Sequence, residues 1–247
     1  MHYIGFNLKR GYFANDSIRS SLTFAIDRLQ LINSIYGGFA QASVLPCSPL
    51  SDLYDQRLAQ DYSYAPSHFT AAVNNSGVLT RSDYEDYVGY FLVCNEDPKR
   101  VDAAEKIAEM LREAGLNIVV SAKERKEYEK ALESGNYDLY YGETRLTANF
   151  DLTAFFAQEG ELSYGSIANS VLYALCVDSM ANSGSFVELC SQIMQKGMLC
   201  PIAFKSYAVY VTRGMMGSIT PAVDYLFRNA ATARTLSDAD KTYDSKN

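Results

Sequence analysis

Residues 87–151 constrain the fold more than any other stretch, because they read in strict alternation as strand, helix, strand, helix, strand and loop. Residues 87–94 (YVGYFLVC) are an unbroken apolar and aromatic run, too short for a helix and closed by Asn95-Glu96-Asp97-Pro98. That pattern predicts a buried strand ending in a turn. A helix is expected next, with Asp97 as its cap and Pro98 where a missing N–H costs nothing. Val101, Ala104, Ala108 and Leu111 form its apolar stripe, and Gly115 ends it. Residues 116–120 read as the second strand. Ser121 and Glu124 have the spacing of a capping box for a helix running to Gly135, and residues 137–141 close the set.

Strands joined by single helices pair in parallel, because the crossover helix returns the chain to the same end of the sheet. Ligands of such sheets bind beyond the carboxyl ends of the strands. Asn95, Ser121 and residues 142–151 are therefore the places to look for function. The last segment, GETRLTANFD, is the richest, with two acids, one base, two threonines and an amide directly after a strand.

At 247 residues and 48% hydrophobic content, the chain is long and apolar enough for a real core. Its net charge of -7 is spread over interleaved acids and bases, which argues against nucleic acid as a partner, since that requires a basic patch. The apolar runs are of strand length, so no membrane-spanning helix is expected. No charged-then-apolar signal pattern is read before the first strand expected at residues 3–6, and the chain is expected to be cut from something longer. Five widely spaced cysteines lack a C-x-x-C pair, and Cys94, Cys176 and Cys190 fall on apolar stripes; reduced, buried thiols are expected. The two histidines, His2 and His68, give no basis for a nucleophile–base pair, and no nucleophile elbow, phosphate loop or metal-ligand spacing is present. No enzyme activity and no cofactor are expected.

Elsewhere, Asn15 or Asp16 caps a long helix in which Ile18, Leu22, Ala25, Leu29 and Ile32 repeat until Gly37-Gly38 stops it. Arg19, Asp27 and Arg28 lie off that stripe and read as a solvated face. Residues 41–63 read as a surface connection anchored by Tyr54 and Tyr62, and residues 66–75 as a short helix ended by Gly77. Further helices are expected at 152–157 and 166–176. Ser185 and Glu188 suggest a capping box for a helix with Phe186, Leu189, Cys190, Ile193 and Met194 on one face and Gly197 as its stop. Residues 201–204 and 207–212 read as strands, and the chain from 231 onward as a polar, disordered tail.

These segments together resemble the family 5 extracellular solute-binding proteins, the peptide- and nickel-binding receptors of ABC importers. YIGFN followed by NDSIRSSLTFAIDR is similar to that family's opening strand and its signature helix, with Ile18-Arg19 and Ala25-Ile26-Asp27-Arg28 matching and Ser21 where alanine is usual. AEKIAEMLREAGLNIVV resembles the helix and strand before the family's ligand loop, GNYDLYYGETRLTANFD the strand and loop themselves, and MLCPIAFKSYAVYVTRGMMG the late pair of strands. The resemblance runs from Tyr3 to about Asn229, in family order. It implies an α/β fold: a periplasmic-binding-protein-like (type II) lobe with a central, mainly parallel sheet flanked by helices. It places the chain on the carboxyl-terminal lobe, residues 1–214, with 215–230 returning toward a missing amino-terminal lobe and 231–247 as the tail.

Function follows as an implication of that resemblance. The chain would be the extracytoplasmic solute-binding component of an ABC importer, periplasmic or anchored as a lipoprotein, with a peptide or other small solute and a transporter permease as partners. Its ligand-binding residues would be Glu143, Thr144, Arg145, Asn149 and Asp151. Where peptide binders have Gly-Trp and then an acid, this chain has Gly142-Glu143 and then Asn149, so a peptide amino terminus would need Glu143 or Asp151 as its counter-ion. No clustered histidine or carboxylate supports a nickel cage. Two alternatives stay open: the ligand-sensing lobe of a regulatory protein, and a local scaffolding role in which Arg145 pairs with Glu143 or Asp151. The loop residues are expected at one sheet edge, more exposed than the strand before them.

Overall fold

Side-chain alternation along the strands divides the molecule into two cores. The computed structural model describes residues 1–206, 215, 216, 228, 231, 234 and 235. Its elements are β1 (His2–Phe6), α1 (Asp16–Ala25), α2 (Arg28–Ser34), β2 (Ala40–Ala42), α3 (Gln56–Asp61), α4 (Pro66–Asn75), β3 (Gly89–Cys94) and α5 (Pro98–Glu113). There follow β4 (Ile118–Lys123), α6 (Arg125–Ser134), β5 (Leu139–Glu143), α7 (Thr153–Phe156), α8 (Ser170–Ser179), α9 (Ser183–Lys196) and β6 (Cys200–Lys205). Ile4 and Phe6 of β1, Phe91 and Val93 of β3, and Leu139 and Tyr141 of β5 enter a core closed by α1, α2, α4 and α5. Tyr3, Leu92 and Tyr140, each next in sequence to one of these, enter a second core closed by α6 to α9. The period of two that places successive side chains on opposite faces thus gives both faces of the sheet a helical cover.

The six strands lie in the order β2-β6-β1-β5-β3-β4. Parallel pairing is confined to the helix-connected strands: β3 lies between β4 and β5, with Cys94 opposite Lys123 and Val93 opposite Tyr141. β1 enters antiparallel between β5 and β6, and β2 pairs antiparallel with β6. The α/β sheet is therefore mixed, since strands that arrive from distant parts of the chain are not bound by the crossover rule. Two glycines make β1 and β5 compatible. Tyr3 is opposite Gly142 and Gly5 opposite Tyr140, and a Cβ on either glycine would stand 2.3 Å from the facing tyrosine ring. Each ring covers the glycine across from it, and the two rings meet edge to face at 5.8 Å.

Several local expectations change. β4 continues to Lys123 because its backbone pairs with β3 that far, so Ser121 lies within the strand and forms no capping box. α6 starts at Arg125 with Glu124 in the cap position and no side-chain cap bond, and it stops as expected at Gly135, held at φ 68°. α9 keeps its apolar face and its stop at Gly197 but is capped by Asn182, whose side chain accepts from the Gly184 N–H at 3.0 Å. Ser185 instead bonds Asp178, and Glu188 accepts from Gln192. The strand expected at 207–212 lies outside the described residues, as do most of 215–230 and 231–247. Of these, β7 (Met215–Met216) and β8 (Arg234–Thr235) pair antiparallel.

The largest departure is at residues 26–28. The long helix is two: α1 ends at Ala25, and Asp27 caps α2 by accepting from the Gln30 N–H at 2.9 Å. Arg19 and Arg28, expected on a solvated face, are each only 5% exposed, and Leu29, expected in the apolar stripe, is 68% exposed. The break explains the exchange. Arg28 Nε donates to the carbonyls of Ser43 and Pro201 at 3.1 and 2.9 Å, Nη1 to the Thr23 carbonyl at 3.0 Å, and Nη2 to the Thr23 hydroxyl at 2.8 Å. Carbonyls left open by the broken helix and the β2–β6 edge thus solvate the charge, and burial pushes the guanidinium pKa down. Arg19 binds the Phe13 and Ala14 carbonyls and Asp16 in the same manner.

Arg28→Met is expected to destabilise the protein by about 3 kcal/mol, because several buried carbonyls lose their donor at once. Chemical denaturation measures it, and a change below about 1 kcal/mol would show that the guanidinium is dispensable. All five cysteines are free and buried. Native protein should react slowly with a thiol reagent while denatured protein exposes all five thiols; two intact bridges on mass mapping would contradict this.

Candidate functional site

The carboxyl ends of β3, β5 and β6 reach one edge of the sheet, and the antiparallel β1 starts there, since His2 is opposite both Glu143 and Ala203. This register brings together residues that are remote in sequence. Glu143 Oε1 lies 3.7 Å from His2 Nε2, and its Oε2 lies 3.6 Å from Arg100 Nε. Arg100 Nε is also 3.9 Å from Asp97 Oδ2, which is 3.9 Å from Lys205 Nζ. Asp97 holds its place by capping α5, accepting from the Lys99 N–H at 3.0 Å. Pro98 and the first turn of α5 then direct Arg100 back over the end of β5.

His2 is the buried member of this group. Its Nδ1 faces the hydroxyls of Tyr36 and Tyr141 at 3.4 and 3.3 Å, and those hydroxyls bond each other at 2.8 Å. Burial lowers the His2 pKa to about 4, with Glu143 opposing the shift, so the ring is neutral at neutral pH. The tautomer that carries its proton on Nε2 lets Nδ1 accept from a tyrosine and turns an N–H toward Glu143. Burial also holds the Tyr36 hydroxyl up at about 12. These groups can bind and orient a ligand, but they include no nucleophile paired with a base.

Beyond Glu143 the loop is built largely from its own hydrogen bonds. Thr144 extends the β1–β5 ladder, its N–H bonding the Met1 carbonyl at 3.0 Å. The Thr147 hydroxyl donates to Asn149 Oδ1 at 2.6 Å and accepts from the Asp151 N–H at 3.0 Å. Asp151 Oδ1 in turn accepts from the Thr153 N–H at 2.8 Å, at the start of α7. Between them, Phe150 takes a left-handed conformation, φ 54°, and its ring packs on Phe186 and Phe204 at 6.2 and 5.9 Å. The loop is thus anchored by one aromatic side chain and closed by Asx- and Thr-type bonds. Glu143, Arg145 and Asn149 are exposed and Thr144 and Asp151 half-buried, whereas the β5 residues before Glu143 are buried.

Of the other positions at this edge, Asn95 is exposed just past β3 and Ser121 is half-buried within β4. His2, Tyr36, Asp97, Arg100 and Lys205 were not singled out as site residues from the sequence. Asp97 and Arg100 left a signal, an acid and a base three apart in the first turn of a helix that leaves a carboxyl edge. His2, Tyr36 and Lys205 left none, because their place depends on strand order.

Sheet and helical cover together define a mixed α/β fold of the periplasmic-binding-protein-like kind. The model of the bacterial extracellular solute-binding proteins, family 5 Middle, matches residues 1–158, and the chain belongs to that family. Among curated proteins it is 25% identical over 134 residues to heme-binding protein A of Haemophilus influenzae, a match covering 54% of this chain and 24% of that protein. It is likewise 25% identical over 146 residues to the oligopeptide-binding protein AppA of Bacillus subtilis, covering 55% and 26%. Among solved structures, the ABC transporter substrate-binding protein CtaP of Listeria monocytogenes superposes with a TM-score of 0.80 at 14% identity, over 96% of this chain and 50% of CtaP. The periplasmic binding protein DppA of Helicobacter pylori, solved with the peptide STSA, gives 0.67 at 18% identity, over 83% and 41%. The chain thus spans half or less of the length of each of these proteins. The family is one of binding proteins rather than enzymes. Among the described residues, no helix is long and apolar enough to cross a membrane.

The buried His2 gives this edge a pH dependence. Its folded pKa of about 4 lies below the ordinary value near 6.5, so the unfolded chain binds more protons between the two. Its contribution is complete above about pH 6.5 and is lost as pH falls toward 4, on the order of 3 kcal/mol in all. Denaturation midpoints across that window should slope downward with acid, and His2→Gln should flatten the slope. An unchanged slope in the variant would show that His2 is not the group responsible.

Proposed function

We propose that the chain is the carboxyl-terminal lobe of an ABC-importer receptor, which binds a peptide or related small solute in a cleft between two lobes and performs no chemistry on it. The observation that carries this reading is the convergence of residues 142–151 with Asp97, Arg100 and Lys205 on the carboxyl edge of the sheet. This lobe would contribute Glu143, Thr144, Arg145, Asn149 and Asp151. Residues 1–214 would form the lobe, 215–230 the return to the amino-terminal lobe, and 231–247 a polar tail. The permease of the importer would be the partner, and the mature receptor would be extracytoplasmic, periplasmic or membrane-anchored. That relatives carry names for heme and oligopeptide binding supports a solute-binding role on this fold.

A solute held by one wall keeps water on its open side, and its contacts must still offset an association cost of roughly 4 to 15 kcal/mol. The 247-residue chain is therefore expected to bind in the millimolar range, with trialanine as the probe and backbone amide NMR as the readout. Amide shifts should concentrate at 143–151. Asn149→Ala and Arg145→Ala should each weaken binding about 2- to 10-fold, the worth of one hydrogen bond, while moving Tm by less than about 2 °C. Shifts confined to the groove lined by Ile26, Leu29, Tyr54 and Tyr64, with none in the loop, would overturn the assignment.

A further inference from the structure

Around Glu143 the cleft edge holds charge without using its hydrogen bonds. The His2–Glu143, Arg100–Glu143, Arg100–Asp97 and Lys205–Asp97 separations run from 3.6 to 3.9 Å, all beyond hydrogen-bond range. Arg100 Nε and His2 Nε2 are shielded from water and have no hydrogen-bond partner. The His2 side chain is 1% exposed, so this is a built site with an unpartnered polar atom aimed at Glu143. Glu143 and Arg100 keep 34% and 17% of their side-chain surface open.

The charges balance. Glu143 and Asp97 stand against Arg100 and Lys205, with His2 uncharged and the Met1 amino group, which donates to the Thr144 carbonyl at 2.6 Å, lowered by burial to about 6 and so mostly uncharged at neutral pH. An ammonium brought to Glu143 would also approach the guanidinium 3.6 Å away, so attraction and repulsion nearly cancel. An uncharged group that offers a donor and an acceptor on one side avoids that conflict. A residue in an extended chain does this, because its own N–H and C=O face the same neighbour.

We infer that Glu143 and Arg100 act as one receptor for an extended, uncharged backbone residue of a peptide-like solute: Glu143 accepts its N–H, and an outer guanidinium nitrogen of Arg100, rather than the shielded Nε, donates to its C=O. His2 is a positioning residue for the Glu143 carboxylate. The site therefore selects an amide segment away from a chain terminus over a free ammonium. This rests on the reading of the edge as a solute site and specifies which part of a solute it takes.

The test uses the 247-residue chain and two small probes, N-acetylalanine N-methylamide and alaninamide, followed through the arginine Nε–H and backbone amide resonances. The uncharged diamide should move Arg100 Nε–H and the Glu143 and Thr144 amides, with alaninamide at least about threefold weaker. Arg100→Met and Glu143→Ala should each weaken the diamide about tenfold, and Arg100→Lys should recover part of the loss. Glu143→Gln keeps an acceptor oxygen and should cost less than about threefold. Tighter binding of alaninamide would identify an ammonium receptor, and loss of diamide binding in Glu143→Gln would show that the carboxylate charge, not an acceptor oxygen, is what the site uses; either overturns the inference. So would an Arg100→Met variant with lowered Tm and an unchanged diamide titration, the behaviour of a mere tether. Trialanine shifts at 147–151 with Arg100 silent would leave the receptor reading intact and sink this one; silence at both would sink both.

Discussion

The molecule depends on the antiparallel insertion of β1 between β5 and β6. The helix-connected strands β3, β4 and β5 form a local unit that could close on itself, but it would leave β5 as an open edge. β1 covers that edge, carries Ile4 and Phe6 into one core and Tyr3 into the other, and joins β6 to the parallel strands. Gly5 and Gly142 are the steric condition for this, since a methyl group on either would displace the tyrosine that lies across it. The same register fixes His2 opposite Glu143, so the pairing that completes the sheet also builds the charged edge at its carboxyl end.

Two arginines show how the protein uses the same side chain for opposite ends. Arg28 is buried, and each of its nitrogens has found a carbonyl, hydroxyl or thiol acceptor; it binds α1, α2 and the segments at Ser43 and Pro201 into one piece. Its hydrogen bonds are spent on structure. Arg100 lies within 4 Å of two carboxylates yet bonds neither. A guanidinium in that state has its charge neutralised by its neighbours without spending its directional donors on them. The loop at 147–151, by contrast, closes on its own hydrogen bonds.

Much of the fold was legible in the sequence because it follows from local rules. The strand–helix–strand order at 89–143, the Asn15, Asp97 and Pro98 signals at helix starts, and the stops at Gly135 and Gly197 depend on neighbours a turn or less away. The errors fell where a distant partner outweighed a local one. Ser121 looked like a cap but was taken into β4 by pairing with β3. The periodicity from Ile18 to Ile32 read as one helix, since hydrophobic spacing cannot register that carbonyls at Ser43 and Pro201 stand ready to receive a guanidinium at Arg28.

By itself the sequence determined that an α/β lobe would form, that its parallel strands would share a carboxyl edge, and that the polar loop at 142–151 would leave from that edge. These are consequences of period, punctuation and the handedness of crossovers, all of them properties of contiguous chain. Only the tertiary structure decided the strand order, the burial of Arg19 and Arg28, and the meeting of His2, Asp97, Arg100, Glu143 and Lys205. The strand order and the meeting of His2 with Glu143 depend on antiparallel pairing between segments more than a hundred residues apart, whose register is set by side-chain fit across the sheet and leaves no periodic trace in either segment alone.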